Sequence, residues 1–461
     1  MIGQPGNGFL TFRNLLLMTL LWGLALSSRI AAIHFLHAPE SLPVSAYEHG
    51  SIARNLMEGR GFVFEFYGLP GQPVPTSHQA PLVSYVLAAG YVLFGTETPA
   101  SFWFVLTVQA FVASFAVIAL TQAARLASGR PMVGYAAGLM MALYPPLVVS
   151  VCHVQAVTWN LAALSFLLWG WFEIRQGSSR LGIPLFVGGS LVAWHADPIL
   201  GGVSILMLFA LLLPPKPAWR SAVLATLLVA IGLTPWITRN YLVHGRFVAM
   251  KDSFWYVFWQ GNTAASHGTD KLAISREDRR EVRGISVKKS VAQAQHVREK
   301  AVSVDSTLPD VARRELLTMP REIDRMNVFR SLILAELSAR PMQYVEKCFL
   351  RLRQWLWFDE TNPRSYVFAY RVSYLSLVAI AAVGLILERR RWRNWLPLFV
   401  AAGGLTLLHV LVITSARFRL PIELLLIPFA GVAIAGVVGL AFRQNAKSDS
   451  KPSEIPLKQA A

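Results

Sequence analysis

Long apolar runs separated by short basic loops dominate this sequence and restrict what it can fold into. An α-helix needs roughly 20 residues to cross a hydrocarbon layer about 30 Å thick. Hydrophobic residues make up 54% of the chain and charged residues 15%, whereas soluble domains carry about 25% charged residues. The sequence therefore predicts an all-α polytopic membrane protein with about ten spans. The predicted spans are residues 14–35, 102–124, 132–152, 155–174, 181–196, 198–213, 220–239, 366–387, 395–414 and 421–441.

One further apolar segment, residues 81–95, is too short to span comfortably. As a helix it would be about 22 Å long, so we expect it to lie on the membrane or dip into it. Both termini and every short basic loop are then cytoplasmic, as the positive-inside rule requires. If residues 81–95 did span, the basic loops 124–130 and 388–394 would both face outward.

Two long segments are left outside the membrane. Residues 37–80 form a large first outer loop, and residues 241–365 form a small extracytoplasmic domain. The domain is expected to end in an interfacial helix, because Trp355 and Trp357 suit a membrane boundary. The predicted domains are the membrane module 1–240, the extracytoplasmic domain 241–365, the C-terminal spans 366–442 and a disordered cytoplasmic tail 443–461.

The charge and the cysteines argue against two other classes of protein. The net charge of +17 comes from Lys and Arg at the ends of apolar segments, which indicates membrane orientation and not nucleic-acid binding. Cys152 and Cys348 lie far apart and have no metal-binding spacing, so neither a disulfide framework nor a zinc site is indicated.

Polar residues at the outer ends of the predicted spans are the candidates for chemistry. They should converge on the outer face of the membrane. These candidates are Tyr47, Glu48, His49, Arg54, His78, His153, Gln155, His195, Asp197, Arg239, Asn240, Arg417 and Arg419.

Arg417 and Arg419 have the clearest physical rationale. They directly precede Pro421, where a helix is expected to begin, so an anion there would meet two guanidinium groups and a helix N-terminus. The alternative is contact with lipid headgroups. Arg239 follows Pro235 and Trp236, and its simpler role is that of an interfacial anchor.

Glu48 allows two interpretations that the local sequence does not separate. Ser45 and Glu48 match a capping box, with Ser45 as the N-cap and Glu48 three residues later. Glu48 is also the first acid after the first span, where it could take a proton from a hydroxyl. His78 and His195 are expected to be neutral boundary residues, and Asp197, which precedes a proline, is expected to form a turn.

Three blocks of sequence resemble the glycosyltransferase-C superfamily, in the branch that uses polyprenyl-phosphate sugars. They are "YEHGSIARNLMEGRGF" with "APLVSYVLAAGYVLFG", then "TPWITRNYLVHGRFV" with "FWQGN", and then "ARFRLPIELLLIPFAG". The branch includes dolichyl-phosphate-mannose protein mannosyltransferases and lipid A aminoarabinose transferases. The resemblance covers roughly residues 10–440.

The resemblance implies a multi-span inverting glycosyltransferase in the cell inner membrane, with its active site on the extracytoplasmic face. The donor would be a polyprenyl-phosphate sugar, and the acceptor a hydroxyl on a glycan, lipid or protein. Glu48 occupies the position of the catalytic base, and Arg417 and Arg419 that of a pair suited to the lipid phosphate. Arg239 matches the family's Arg-Asn pair and would also contribute to binding the donor phosphate.

The remaining candidates would line the substrate site: Tyr47, His49, Arg54, His78, His195, Asp197 and Asn240.

Two departures from the family pattern bear on these expectations. The family usually has Asp where this chain has Glu48, and "CHVQAVTWN" lacks the acid that many relatives carry after the third span. No metal ligand is therefore assigned, although a divalent metal stays open. The alternative functions are a flippase or transporter for lipid-linked saccharides and a non-catalytic protein that binds polyprenyl-phosphate sugars. Both would use the arginines without a base.

Overall fold

The computed structural model describes residues 12–37, 46–65, 73–214, 217–283 and 287–449, with side chains through Ala441 except at residues 287, 290 and 295. The described chain is almost entirely helical. Its helices are α1 Phe12–Leu36, α2 Tyr47–Met57, α3 Pro81–Phe94, α4 Pro99–Ser128, α5 Pro131–Leu143, α6 Pro145–Ser150, α7 Ala156–Arg175, α8 Ser179–Ala196, α9 Pro198–Ala210, α10 Trp219–His244, α11 Phe254–Asn262, α12 Arg276–Val282, α13 Val287–Lys300, α14 Asp310–Thr318, α15 Glu322–Ala339, α16 Pro341–Leu356, α17 Phe368–Glu388, α18 Leu396–Leu411 and α19 Leu420–Asp449.

The prediction of an all-α polytopic membrane protein is confirmed. Within the described residues, five helical stretches are long and apolar enough to cross a membrane. They are Phe12–Leu36, Pro99–Ser128, Trp219–His244, Phe368–Leu411 and Ala416–Ala441. The fourth contains two helices, α17 and α18, joined by a 3₁₀ turn. Several other predicted spans form shorter apolar helices, and the count of ten stays a prediction.

The predicted span 132–152 is broken at Pro145 and Pro146. Prolines there have no N–H to donate to the carbonyls of Met141 and Ala142, four residues earlier. Arg29 of α1 donates to both carbonyls at 3.4 Å, and Ser28 donates to that of Ala142 at 2.8 Å. Arg29 is buried in an apolar helix because it donates to backbone carbonyl groups of α5 that have no N–H partner in their own helix.

Small residues allow the spanning helices to approach closely. At Gly384 in α17 a methyl group would collide with the carbonyl group of Phe429 in α19, so the two backbones pack with no side chain between them. Such contacts suit apolar helices, whose association in lipid depends on van der Waals packing.

The first outer loop contains one small element of sheet beside α2. Strand β1, Val63–Phe64, pairs antiparallel with β2, Val74–Pro75. The chain then turns at residues 76–80 and enters α3, which has 14 residues. This arrangement returns the loop to the membrane module next to α2.

Helices α11 to α16 lie in the segment 241–365 that was predicted to be an extracytoplasmic domain. Helix α16 exposes Met342, Val345 and Phe349, and Trp357 directly after it is also exposed; its location at a membrane interface stays a prediction. Trp355 differs from expectation: it is buried and donates to the hydroxyl of Thr406 in α18 at 3.0 Å.

The C-terminal tail also departs from the prediction at its beginning. Helix α19 continues to Asp449, so residues 443–449 are helical and not disordered. The rest of the predicted tail lies outside the described residues.

Candidate functional site

Glu48 lies in the first turn of α2, and the capping-box prediction for it is wrong. The helix begins at Tyr47, so Glu48 is its second residue and not its third, and Ala46 is the N-cap. Ser45 lies outside the described residues. Tyr47 itself has a φ of +48°, in the left-handed region that side chains disfavour. The chain therefore turns sharply just before Glu48.

Helix α2 is held in place at both ends. His49 Nδ1 lies 2.9 Å from the Ser84 hydroxyl of α3, and burial together with the cations Lys251 and Arg417 lowers the pKa of His49 to about 3. Arg54, a predicted lining residue, instead forms an ion pair with Glu97 at 2.7 Å. That pair is partly exposed and supports the end of the helix.

Two cations and one acid surround Glu48 electrostatically. Burial raises the pKa of Glu48, while its own backbone and the charges of Arg417 and Lys251 oppose that rise and Asp270 adds to it. A carboxyl group in this environment is less acidic than usual and can accept a proton more readily. We refer to Glu48, Lys251 and Arg417 as the Glu48 site.

Arg417 belongs to the Glu48 site, and among the described residues its guanidinium group forms no ion pair. Its guanidinium group lies 5.0 Å from the ring centroid of Phe418, and its Nε atom is buried without a hydrogen-bond partner. In the described part of the chain, no carboxylate forms an ion pair with it. A half-buried cation with a buried, unpaired Nε donor is a strong candidate for binding an anion.

Arg419 is engaged elsewhere, so the structure separates the two arginines that the sequence grouped together. Its Nε donates to Glu423 at 3.0 Å, and both side chains are buried. Its Nη2 donates to the Tyr370 hydroxyl at 2.8 Å, and Tyr144 donates to the other oxygen of Glu423 at 2.7 Å. Arg419 thus joins three helical segments, and we no longer expect it to bind the phosphate.

An apolar pocket opens beside Arg417. Prolines, valines and alanines of α6, α7, α13 and α17 form most of its wall, and His153, Gln155, Arg364, Tyr370 and Arg417 provide the polar groups. Arg364 Nη2 lies 2.7 Å from His153 Nε2. Burial, then the charge of Arg364, lowers the pKa of His153 well below its usual range, so the neutral ring accepts from Arg364.

Arg239 and Asn240 bind the first outer loop. Arg239 donates to the carbonyls of Thr76 at 2.6 Å and Phe62 at 2.9 Å, and Asn240 accepts from the Ser77 hydroxyl at 2.8 Å. Arg239 therefore supports the loop, in place of the interfacial anchoring or phosphate binding considered from the sequence. His78 follows this turn, and burial lowers its pKa to about 3.

His195 and Asp197 have local partners. His195 Nδ1 lies 2.8 Å from the Leu191 carbonyl oxygen within α8. Asp197 accepts from the backbone N–H of Ile199 at 3.2 Å and caps α9, which is the turn-forming role expected from the sequence. Its charge also acts on Lys251.

The sequence analysis missed Lys251, Asp270 and Arg364. Burial lowers the pKa of Lys251, against the charges of Asp197 and Glu48. Asp270 accepts from Arg298 at 2.6 Å. All three lie in the segment 241–365 among many other charged residues, and no local pattern distinguishes them. Within the described residues, no group of three or more His, Cys, Asp and Glu side chains could hold a metal ion.

No protein-family model matches the sequence, and no curated protein matches it significantly. Solved structures do match. The archaeal oligosaccharyltransferase AglB from Archaeoglobus fulgidus, in complex with an inhibitory peptide and a dolichol-phosphate, is 13% identical with a TM-score of 0.53, over 98% of this chain and 53% of AglB. An oligosaccharyltransferase structure from the same organism, tethered with an acceptor peptide, is 10% identical with a TM-score of 0.51, over 97% and 52% of the two chains.

A third match is ArnT from Cupriavidus metallidurans bound to undecaprenyl phosphate, at 12% identity and a TM-score of 0.42, over 95% of this chain and 81% of ArnT. The chain spans about half the length of the oligosaccharyltransferases that it matches. Those enzymes have the glycosyltransferase-C fold. This chain is an all-α polytopic membrane protein with that same glycosyltransferase-C fold, as its three sequence blocks implied.

Proposed function

We propose that this protein is a membrane glycosyltransferase that moves a sugar from a polyprenyl-phosphate donor to an acceptor hydroxyl, with inversion at the anomeric carbon. The proposal depends chiefly on one observation. Glu48 is half-buried in the electrostatic field of Arg417, and Arg417 lines an apolar pocket with its Nε atom lacking a hydrogen-bond partner among the described residues.

The pocket suits the donor lipid. Its apolar wall would receive the prenyl chain, and Arg417 and Arg364 at its polar positions would bind the phosphate. The charge of Arg417 acts on Arg364, and two like charges at one pocket repel unless an anion lies between them. A phosphate group relieves that repulsion and supplies acceptors for both guanidinium groups.

Glu48 would act as the general base. The acceptor oxygen attacks the anomeric carbon from the face opposite the phosphate, and its proton passes to the Glu48 carboxylate. The bond between the anomeric carbon and the phosphate oxygen breaks, and its electron pair stays on the phosphate. Arg417 stabilises the charge that accumulates there. The raised pKa of Glu48 favours its role as proton acceptor.

Orientation and partners follow from the same proposal. The basic loops 124–130, 173–180 and 388–394 support a cytoplasmic location for the membrane face on which they lie. Glu48 would then lie on the opposite, extracytoplasmic side of the cell inner membrane. The partners are then the membrane, a polyprenyl-phosphate sugar and an acceptor glycan, lipid or protein.

The test is complementation of cells that lack the gene with wild type, Glu48→Gln, Arg417→Met or the control Glu58→Gln. Glu58 follows the same helix and is exposed. Polyprenyl-phosphate sugars and envelope glycans are then profiled by mass spectrometry. We expect Glu48→Gln and Arg417→Met to accumulate one lipid-linked sugar and to lose one glycan substituent, while Glu58→Gln matches wild type.

The same profiles distinguish the alternatives. If Glu48→Gln matches wild type while Arg417→Met fails at normal membrane levels, no base is used. The flippase and the non-catalytic binding protein then become the better hypotheses, and the transferase proposal is rejected.

A further inference from the structure

The turn formed by Thr76 and Ser77 connects three parts of the molecule. It closes the first outer loop just before α3, and both residues are fully buried. On one side the turn is bound by Arg239 and Asn240 of α10. His244 of the same helix lies 2.8 Å from the Ser77 hydroxyl through its Nε2 atom.

On its other side the turn is bound by Glu322, the first residue of α15 in the extracytoplasmic domain. Glu322 is 3% exposed. One carboxylate oxygen accepts from the Ser77 N–H at 2.7 Å, and the other accepts from the Thr76 hydroxyl. A buried carboxylate is costly unless it is hydrogen-bonded, and the turn supplies both of these bonds.

The turn is also connected to the Glu48 site. His78, the next residue, lies between Phe64 at 5.8 Å and Tyr256 at 5.6 Å, measured between ring centroids. The Ser77 carbonyl accepts from the Asp252 N–H at 2.9 Å, and Asp252 directly follows Lys251. A displaced turn would therefore move the segment that carries Lys251.

We propose that Glu322 is a positioning residue for transfer at Glu48, acting through the Thr76–Ser77 turn on the acceptor side of the site. This inference rests on the proposed function. Neither His78 nor Lys251 is among the residues that line the apolar pocket, so the turn supports the wall away from the donor lipid. Glu322 thereby couples the extracytoplasmic domain to the chemistry. The charged groups around it are Asp252, Arg239 and Arg325.

The coupling predicts a split between two measurements. Loss of the Glu322 carboxylate should impair transfer and leave donor binding intact, because the two arginines of the pocket do not contact the turn. A general loss of folding would impair both. Two hydrogen bonds to the carboxylate are lost together, so we expect transfer to fall by about tenfold or more.

The experiment uses the full-length protein with Glu322→Gln, Glu322→Ala and the control Glu315→Gln, an exposed acid of the same domain. In lipid nanodiscs, hydrogen exchange is followed in the peptide covering residues 73–80, and binding of undecaprenyl phosphate is measured. Transfer is read from the glycan profile of complemented cells. We expect faster exchange at the Ser77 amide, transfer reduced in the order Ala more than Gln, and undecaprenyl phosphate affinity within about twofold of wild type.

Each contrary result has a defined meaning. Unchanged exchange at Ser77, accelerated exchange with normal transfer, or a parallel loss of undecaprenyl phosphate affinity would each overturn the positioning role. Glu48→Gln is run alongside. If it transfers normally, the proposed function itself fails; if it fails to transfer while both Glu322 variants transfer normally, only the present inference is overturned.

Discussion

Arg417 and Arg419 are two residues apart, and the structure predicts opposite consequences for the same substitution at each. Arg419→Met would leave Glu423 buried without its cation, with Tyr144 still donating to it at 2.7 Å. Arg417→Met would remove a guanidinium group that forms no ion pair with the described residues and lies 5.0 Å from the ring centroid of Phe418. One change therefore tests stability, and the other tests binding.

The expected magnitudes differ enough to be measured. Arg419 and Glu423 are 3% and 0% exposed in their side chains, and removing one partner of such a buried pair costs about 3–5 kcal/mol. The hydrogen bond from Tyr144 places the expected loss near the lower end, at about 3 kcal/mol. Arg417→Met should change the free energy of unfolding by less than about 1 kcal/mol, the scale of one cation–π contact.

Binding should show the reverse order. Hydrogen bonds to a charged group contribute about 1.5–3 kcal/mol, so Arg417→Met should weaken undecaprenyl phosphate binding by about tenfold to a hundredfold. The Arg419→Met protein, measured where it is still folded, should bind normally.

The assay for both variants is denaturant unfolding in detergent, followed by titration with undecaprenyl phosphate. Weakened binding by Arg419→Met at unchanged stability, together with normal binding by Arg417→Met, would refute the assignment. The double variant Arg419→Met with Glu423→Leu removes both charges and should recover much of the lost stability.

Three further predictions follow from packing and burial. Gly384→Ala should severely destabilise the protein, because the added methyl group would meet a backbone carbonyl group. Gly188→Ala in α8 places its methyl group in open space and should stabilise the protein by up to about 1 kcal/mol. Denaturant unfolding compares the two variants. Arg29→Leu should cost about 1–3 kcal/mol in the same assay, since the Met141 carbonyl group loses its donor while Ser28 still donates to that of Ala142, and an unchanged stability would contradict that role. Burial raises the pKa of Glu322 from 4.5 to about 7, so the carboxyl group binds its proton more tightly in the folded state than in the unfolded state. The free energy of unfolding should therefore fall by at most about 3 kcal/mol as the pH rises from about 4.5 to about 7. Glu322→Gln should flatten that dependence, and an identical pH profile for the variant would contradict it.

The lengths of the apolar runs determined the fold class from the sequence alone. A run of about 20 apolar residues has few stable states other than a spanning helix, and five helical stretches of the described chain coincide with such runs. The sequence also indicated Glu48 and Arg417, because an acid after the first span and an arginine before a helix start are local features.

Other outcomes depended on contacts that no local pattern encodes. The start of α2 is set by the left-handed turn at Tyr47, which moved Glu48 out of the predicted capping box. Arg417 and Arg419 have equivalent sequence surroundings, but residues two apart on a helical turn point in different directions. Glu423, Tyr370 and Tyr144 lie where only Arg419 reaches them.

The local sequence indicates even less about Lys251, Arg364 and Glu322. Each lies in the charged segment 241–365, where a charged side chain does not by itself indicate a function. Their importance comes from residues far away in sequence: Glu48 for Lys251, His153 for Arg364, and the Thr76–Ser77 turn for Glu322. Hydrophobic periodicity determines helices locally, whereas the protonation and partners of a buried charged group depend on what the folded chain places around it.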